Sequence, residues 1–185
     1  MKAAIYSQKK DLDTFLYLSK FISELNKRGV KAIIYEQLFK DLEFSKEFST
    51  FSNYEDVKQE KIDFFFSFGG DGTILRAATL VRNSGVPILG INAGRLGFLA
   101  TVQKENIDSF LQFVIDKKYS ISKRTLLSLD CSPENEAINE INFAMNEITV
   151  SRKDTTSMIT IETYLNDEFL NSYWADGLII STPTG

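Results

Sequence analysis

Phe64-Phe-Phe-Ser-Phe-Gly-Gly-Asp-Gly-Thr73 constrains the fold of this chain more than any other stretch. A run of large apolar side chains needs burial on both faces, which a strand inside a covered parallel sheet provides. The run stops at two glycines, an aspartate and a third glycine, and helix-compatible residues follow. Such glycines accept positive φ and let a ligand approach the backbone closely. The amides at a helix N-terminus favour an anion such as a phosphate. Asp71 would oppose that anion unless it binds a metal or takes a proton. Two readings follow: a tight strand-to-helix turn with Asp71 as a solvated cap, or Asp71 beside a bound hydroxyl or metal-phosphate. The stretch is neither a Walker A loop nor a dinucleotide Gly-x-Gly-x-x-Gly motif.

The residues before and after it alternate in period. Lys2 to Ser7, Val30 to Tyr35, Ile62 to Phe68 and Gly85 to Ile91 read as strands. Asp11 to Arg28 reads as an amphipathic helix, with Leu12, Phe15, Leu16, Ser19, Ile22 and Leu25 near helical spacing and Gly29 as its C-cap. Glu36 to Gln59 reads as a short helix and a mobile connection. Thr73 to Asn83 and Lys104 to Ile115 read as helices, and Asn92-Ala-Gly-Arg-Leu-Gly97 as a second glycine loop. Strands alternating with helices predict a Rossmann-like parallel sheet covered on both faces. Both glycine loops would lie beyond the carboxyl ends of its strands, where such sheets bind ligands.

After about Ser122 the pattern becomes strand upon strand: Arg124 to Cys131, Phe143 to Ser151, Ser157 to Leu165, Phe169 to Trp174 and Leu178 to Thr182. Leu165-Asn-Asp-Glu168 reads as a hairpin turn, and Pro133 to Glu140 as a polar loop. The expected organisation is an α/β domain over residues 1–122 and an antiparallel β-sandwich domain, incomplete in this chain, over residues 123–185. The last strand ends in a glycine-bearing turn at Gly185, and so few strands leave an exposed edge. The chain is therefore expected to be a fragment of a longer protein, and the open edges point to a homo-oligomer, a dimer or tetramer.

Composition removes several classes of chemistry. The 185 residues contain no histidine and one cysteine, Cys131. Ser-His-Asp and Cys-His catalysis and a structural zinc site are excluded on that basis. A metal would be a hard cation such as Mg²⁺, held by oxygens together with substrate phosphates. A single cysteine fits a reducing, cytoplasmic compartment. A net charge of −4 gives no electrostatic reason to expect nucleic acid. No stretch approaches the roughly 18 apolar residues of a membrane helix.

Further candidates lie outside the first loop. Arg76, on the helix after Asp71, is either solvated or leans back toward a phosphate. Asn146-Glu147 interrupts an apolar stretch, either at a strand edge or as a pair that hydrogen-bonds a nucleobase and ribose. Asp176-Gly177 between two apolar strands has the plain reading of a two-residue hairpin turn. Phe98 and Trp174 are ordinarily packing residues.

Taken together these motifs resemble the NAD kinase family, whose members use ATP or polyphosphate. Gly69-Gly-Asp-Gly-Thr73 matches its first signature, and Asn92-Ala-Gly-Arg-Leu-Gly-Phe-Leu99 its second glycine loop. Asn146-Glu147 is similar to its Asn-Glu/Asp pair. Asp176-Gly-Leu-Ile-Ile-Ser-Thr-Pro-Thr-Gly185 looks like the start of a box that continues in the family with Ser-Thr-Ala-Tyr. Diacylglycerol and sphingosine kinases share the first motif alone, which leaves a lipid kinase, or a non-catalytic nucleotide-binding fragment, as alternatives. The resemblance implies transfer of the ATP γ-phosphoryl group to the 2′-hydroxyl of the adenosine ribose of NAD, with Mg²⁺ or another divalent cation. It implies Asp71 as the proton acceptor, with Gly70 and Gly72 giving the phosphates access to the backbone. It implies Arg76 and Phe98 lining the NAD site, and Asn146 and Glu147 holding the nucleotide. Asp176 would contact the nicotinamide end or a second nucleotide copy.

Overall fold

A computed structural model of the chain describes residues 1–9, 11–41, 48–92, 97–103, 106–154 and 157–185. It divides into two compact units, Met1–Ile121 and Ser122–Gly185.

The first unit is built on six parallel strands: β1 (Lys2–Ser7), β2 (Lys31–Tyr35), β3 (Ser49–Phe51), β4 (Phe64–Gly69), β5 (Ile88–Asn92) and β6 (Val102–Gln103). Their spatial order is β3-β2-β1-β4-β5-β6, so the direction of winding reverses between β1 and β4. Ligand crevices of open α/β sheets lie at such a switch point, outside the carboxyl ends of the strands. The glycine turn at the end of β4 stands there.

Side-chain alternation distributes the core over two faces. Ala3, Ile5, Phe64, Phe66 and Phe68 meet Leu18, Phe21, Ile22 and Leu25 of α1 (Leu12–Lys27) and Leu111 and Val114 of α5 (Ile107–Ile115). On the other face Ala4, Ile33, Phe51 and Phe65 meet Val57 of α3 (Tyr54–Gln59) and Ala77 and Val81 of α4 (Asp71–Val81). Edge-to-face rings lock α1 to the sheet, with Phe21 4.9 Å from Phe68 and 5.1 Å from Phe66 between centroids.

Helix α1 stops at the expected glycine, and Asp11, read as its first residue, is instead its cap. The Asp11 carboxylate accepts from the Thr14 N–H at 2.8 Å, a cap worth about 1 kcal/mol. At the other end Gly29, at φ +70°, donates to Asn26, and Val30 donates to Leu25, which is a Schellman ending. Its buried stripe runs through Thr14, Leu18, Phe21, Ile22 and Leu25, so Leu12 and Leu16 face outward rather than inward.

Other readings need correction. Glu36 to Gln59 holds more than a helix and a connection. It contains α2 (Glu36–Asp41), strand β3 and helix α3, the last capped by the Asn53 side chain; residues 42–47 lie outside the described ones. Strand β6 was not expected. Helix α4 starts at Asp71, two residues earlier than its apolar period suggests, because Gly70 caps it. The start of the helix predicted from Lys104, and Ala93 to Leu96 of the second glycine loop, lie outside the described residues.

The second unit is antiparallel β, as expected, in three two-stranded ladders. Strands β10 (Ile159–Leu165) and β11 (Glu168–Ala175) form the predicted hairpin, turned by Asn166 and Asp167 at φ 51° and 66°. The strand predicted at Arg124 to Cys131 shrinks to β7 (Leu127–Ser128), paired with β8 (Phe143–Ala144). The polar segment Pro133 to Glu140 is not all loop: its end forms α6 (Glu136–Glu140), capped by Asn135. The strand predicted over Phe143 to Ser151 breaks at Met145 and Asn146, and resumes as β9 (Glu147–Ser151). Asp176-Gly177 is not a hairpin turn. The chain passes there from β11 into β12 (Gly177–Ser181), which pairs with β9 instead.

Candidate active site

Asp71 opens the first turn of α4. Its carboxylate accepts three backbone N–H groups: Phe98 on Oδ2 at 2.8 Å, and Leu99 and Ala100 on Oδ1 at 2.9 and 3.1 Å. Burial pushes this carboxyl up, but the three amides outweigh it and hold it below the usual 3.8. Asp71 is thus neither a solvated cap nor a loose surface acid. It ties α4 to the segment that follows the second glycine loop. Of the roughly four acceptor positions of a carboxylate, Oδ1 has both filled and Oδ2 has one open.

The glycines around it have distinct reasons. Gly69 has φ +157°, and a Cβ there would lie 2.8 Å from the buried Thr73 Cβ, so the turn closes only without one. Gly70 caps α4 with no side-chain bond, and the first amides of any helix lack intrahelical acceptors. Nothing lies within 4 Å of where a Cβ would stand on Gly70 or Gly72, so the backbone there is open to a ligand.

Phe98 is anchored through its N–H, yet its side chain is 93% exposed. Large aromatics are usually buried, and an anchored, exposed ring offers a flat face for stacking. Arg76 is exposed on α4. Its charge acts on Tyr6 of β1: burial and the neighbouring Tyr35 push that phenol up to about 12, and Arg76 opposes them.

In the second unit the pairing of β9 with β12 brings together two motifs far apart in sequence. The Asn146 carbonyl accepts from the Thr182 N–H at 2.8 Å, and the Met145 carbonyl accepts from the Thr182 hydroxyl at 2.5 Å. A Cβ on Gly185 would lie 2.6 Å from the Asn146 carbonyl oxygen. These bonds break the strand at residue 146. Among the described residues the buried Asn146 Oδ1 atom has no hydrogen-bond partner, and Glu147 is exposed at the start of β9. Asp176 is not in this cluster. It sits at the other end of the ladder, where Gly177 pairs with Ser151 and Ser181 with Glu147, about 14 Å away at ~3.4 Å per residue. There its carboxylate pairs with Arg152 at 3.1 Å.

Two groups in these constellations were missed from the sequence. The amides of Leu99 and Ala100 leave no side-chain signal. Thr182 was hidden in a turn motif whose partner is 36 residues upstream at Asn146.

A covered parallel sheet with an open glycine turn at its switch point defines an α/β protein of the ligand-binding type. The chain belongs to the NAD kinase family. Residues 11–119 match the model of the ATP-NAD kinase N-terminal domain, and residues 145–185 that of the C-terminal domain. It is 58% identical over its whole length to the NAD kinase of Flavobacterium psychrophilum and 58% to that of Flavobacterium johnsoniae. It is 37% identical, over 88% of its length, to the NAD kinase of Methanothermobacter thermautotrophicus, of which it covers 54%. The chain spans 64% of the length of both Flavobacterium relatives. Its fold matches that of a yeast NADH kinase crystallised with NADH, at a TM-score of 0.85 and 24% identity, over all of this chain and 58% of that one. Family membership displaces the lipid-kinase alternative.

Proposed function

We propose that the protein transfers the γ-phosphoryl group of ATP to the 2′-hydroxyl of the adenosine ribose of NAD, giving NADP. The observation that carries the reading is the Asp71 carboxylate, fixed by three amides with one lone pair open on Oδ2. The substrate hydroxyl donates its proton to that lone pair. Its oxygen forms the bond to the γ-phosphorus as the bridging bond to the β-phosphate breaks and ADP leaves. A carboxylate held below its usual range is a weak base but is ionised throughout the neutral range. That suits a reaction governed by positioning and charge neutralisation.

The other residues supply binding. The amides at Gly70 and Gly72 approach the phosphates, and Arg76 adds positive charge. Phe98 stacks on the nucleotide. Asn146 offers its buried amide oxygen to a base or ribose donor, and Glu147 accepts from hydroxyls. Asp176, at the far end of its ladder, meets the nicotinamide end or a second nucleotide. Among the described residues no three carboxylate, cysteine or histidine side chains gather as a metal cage, and the commitment of Asp71 leaves it one acceptor. A divalent cation such as Mg²⁺ would therefore be held chiefly by the ATP phosphate oxygens, where it neutralises developing charge. Among the described residues no helix is long and apolar enough to cross a membrane. A cytoplasmic homo-oligomer completes the reading.

The test is Asp71→Asn in the natural gene product, assayed for NADP formation from NAD, ATP and Mg²⁺. The expected outcome is a loss of about 10²–10⁴-fold in turnover with nucleotide binding retained. Near-normal turnover would exclude Asp71 as the base.

A further inference from the structure

We propose that Gly97 is a positioning residue of this site, because its missing side chain is what lets the Asp71 carboxylate reach the N–H groups of Phe98, Leu99 and Ala100. The inference rests on the reading of Asp71 as proton acceptor. A Cβ built on Gly97 would overlap that carboxylate, with Cγ and Oδ2 each at 2.5 Å. Real Cβ contacts do not come so close, so one side must move. Neither can do so freely. The carboxylate is short, sits on the first turn of α4 and is pinned at 2.8, 2.9 and 3.1 Å. The other side is the backbone that carries those same donors.

Conformational freedom does not explain the glycine. The φ of Gly97 lies outside the left-handed region, unlike that of Gly69 or Gly85. What the position requires is space. Gly70 and Gly72, the neighbours of Asp71 in sequence, have nothing within 4 Å of a Cβ, whereas Gly97 faces the carboxylate directly. A side chain at residue 97 would therefore displace the open lone pair of Oδ2 and, through the Phe98 amide, the exposed Phe98 ring with it.

The experiment compares Gly97→Ala with Gly85→Ala in the natural gene product. Gly85 has φ +77° and nothing within 4 Å of a Cβ, so Ala there strains the backbone without touching the site. Gly97→Ala should lower turnover by about 100-fold, the scale of a misplacement near 1 Å. The KM values for NAD and ATP should stay within about threefold, because the lost interaction acts on the reacting atom. Amide hydrogen exchange at residues 98–100 should accelerate in the same variant. Gly85→Ala should keep wild-type turnover. Normal turnover in Gly97→Ala, or a loss that Gly85→Ala reproduces, overturns the proposal. Should Gly97→Ala fail to fold, exchange in the wild type decides: slow amides at 98–100 that Asp71→Ala, which removes both acceptor oxygens, releases support the anchor, and freely exchanging amides refute it. Failure of the base reading has a separate signature, an active Asp71→Asn protein alongside 98–100 amides that Asp71→Ala still releases.

Discussion

In Met1–Ile121 the sheet is covered on both faces, and Phe65, Phe66 and Phe68 are each 0% exposed; in Ser122–Gly185 the strands come in pairs, and Trp174 is 76% and Ile179 66% exposed. The polar residues proposed for the site follow the same contrast. Asp71 in the first unit has three backbone donors on its carboxylate. In the second unit the buried Asn146 Oδ1 atom has none among the described residues. Under the proposed function, an enclosed backbone orients the Asp71 carboxylate before any ligand arrives. In the second unit the ladder fixes the main chain at Asn146 through Thr182, and the proposed function assigns its side chain to a ligand.

The largest effect that would break this comparison concerns packing. Phe66→Ala should cost the first unit about 3–5 kcal/mol, the usual cost of emptying a core phenylalanine site. Trp174→Ala should stay within about 0.5 kcal/mol in this chain, as surface changes do. Chemical denaturation of both variants checks this, and equal losses would contradict the contrast in burial.

Next comes the polar contrast. Asn146→Ala removes an acceptor that has no partner, so the free chain should keep its stability within about 0.5 kcal/mol. Nucleotide binding by the natural gene product should weaken roughly tenfold, as for the loss of one hydrogen bond to a buried group. Calorimetric titration with NAD and with ATP reads the second quantity. Unchanged affinity for both would remove Asn146 from the site.

Acid separates the units in a further way. Asp11 and Asp56 are lowered by the backbone N–H groups of Thr14 and Ser52. Asp71, despite the opposing effect of burial, is lowered by the amides of residues 98–100. A carboxyl whose folded value lies below its unfolded one contributes stability that is fully present above the unfolded value, about 3.9. That contribution is lost as pH falls through the folded value. All three lie in the first unit. The helical signal by circular dichroism, which comes mostly from that unit, should therefore show a falling denaturation midpoint below about pH 4, while the single tryptophan, Trp174, reports on the second unit alone. A midpoint for the helical signal that is flat down to about pH 2 would contradict the anchoring of these carboxylates.

What could be read in the sequence divides along local and non-local lines. Helix α1, with its cap at Asp11 and its glycine ending, is specified by residues within one turn of each other. So are the hairpin at Asn166-Asp167 and the strand-to-glycine transition at Gly69. The three amides that hold Asp71 are 27, 28 and 29 residues away, and backbone donors carry no side-chain signature. The Asp-Gly pair at 176–177 shows the reverse. A strong local hairpin signal was overridden because β12 found its partner in β9, more than twenty residues upstream. Strands β3 and β6, of three and two residues, are too short to display a period of two.

The smallest expected effect concerns Asp176. Its partner Arg152 donates to it at 3.1 Å, but the Asp176 side chain is 67% exposed. Solvent screening limits such a pair to about 0–1 kcal/mol, and the backbone bond from the Arg152 N–H to the Asp176 carbonyl is untouched by a side-chain change. Asp176→Asn should therefore leave the denaturation midpoint of the chain almost unmoved. Because its structural cost is so small, any change in KM for NAD measured on the natural gene product reports contact with the nucleotide rather than damage to β12. A rise in KM with kcat preserved would assign Asp176 to binding. Unchanged constants would mean that this carboxylate serves only its exposed ion pair, and the nucleotide-facing end of the ladder would be the one at Asn146.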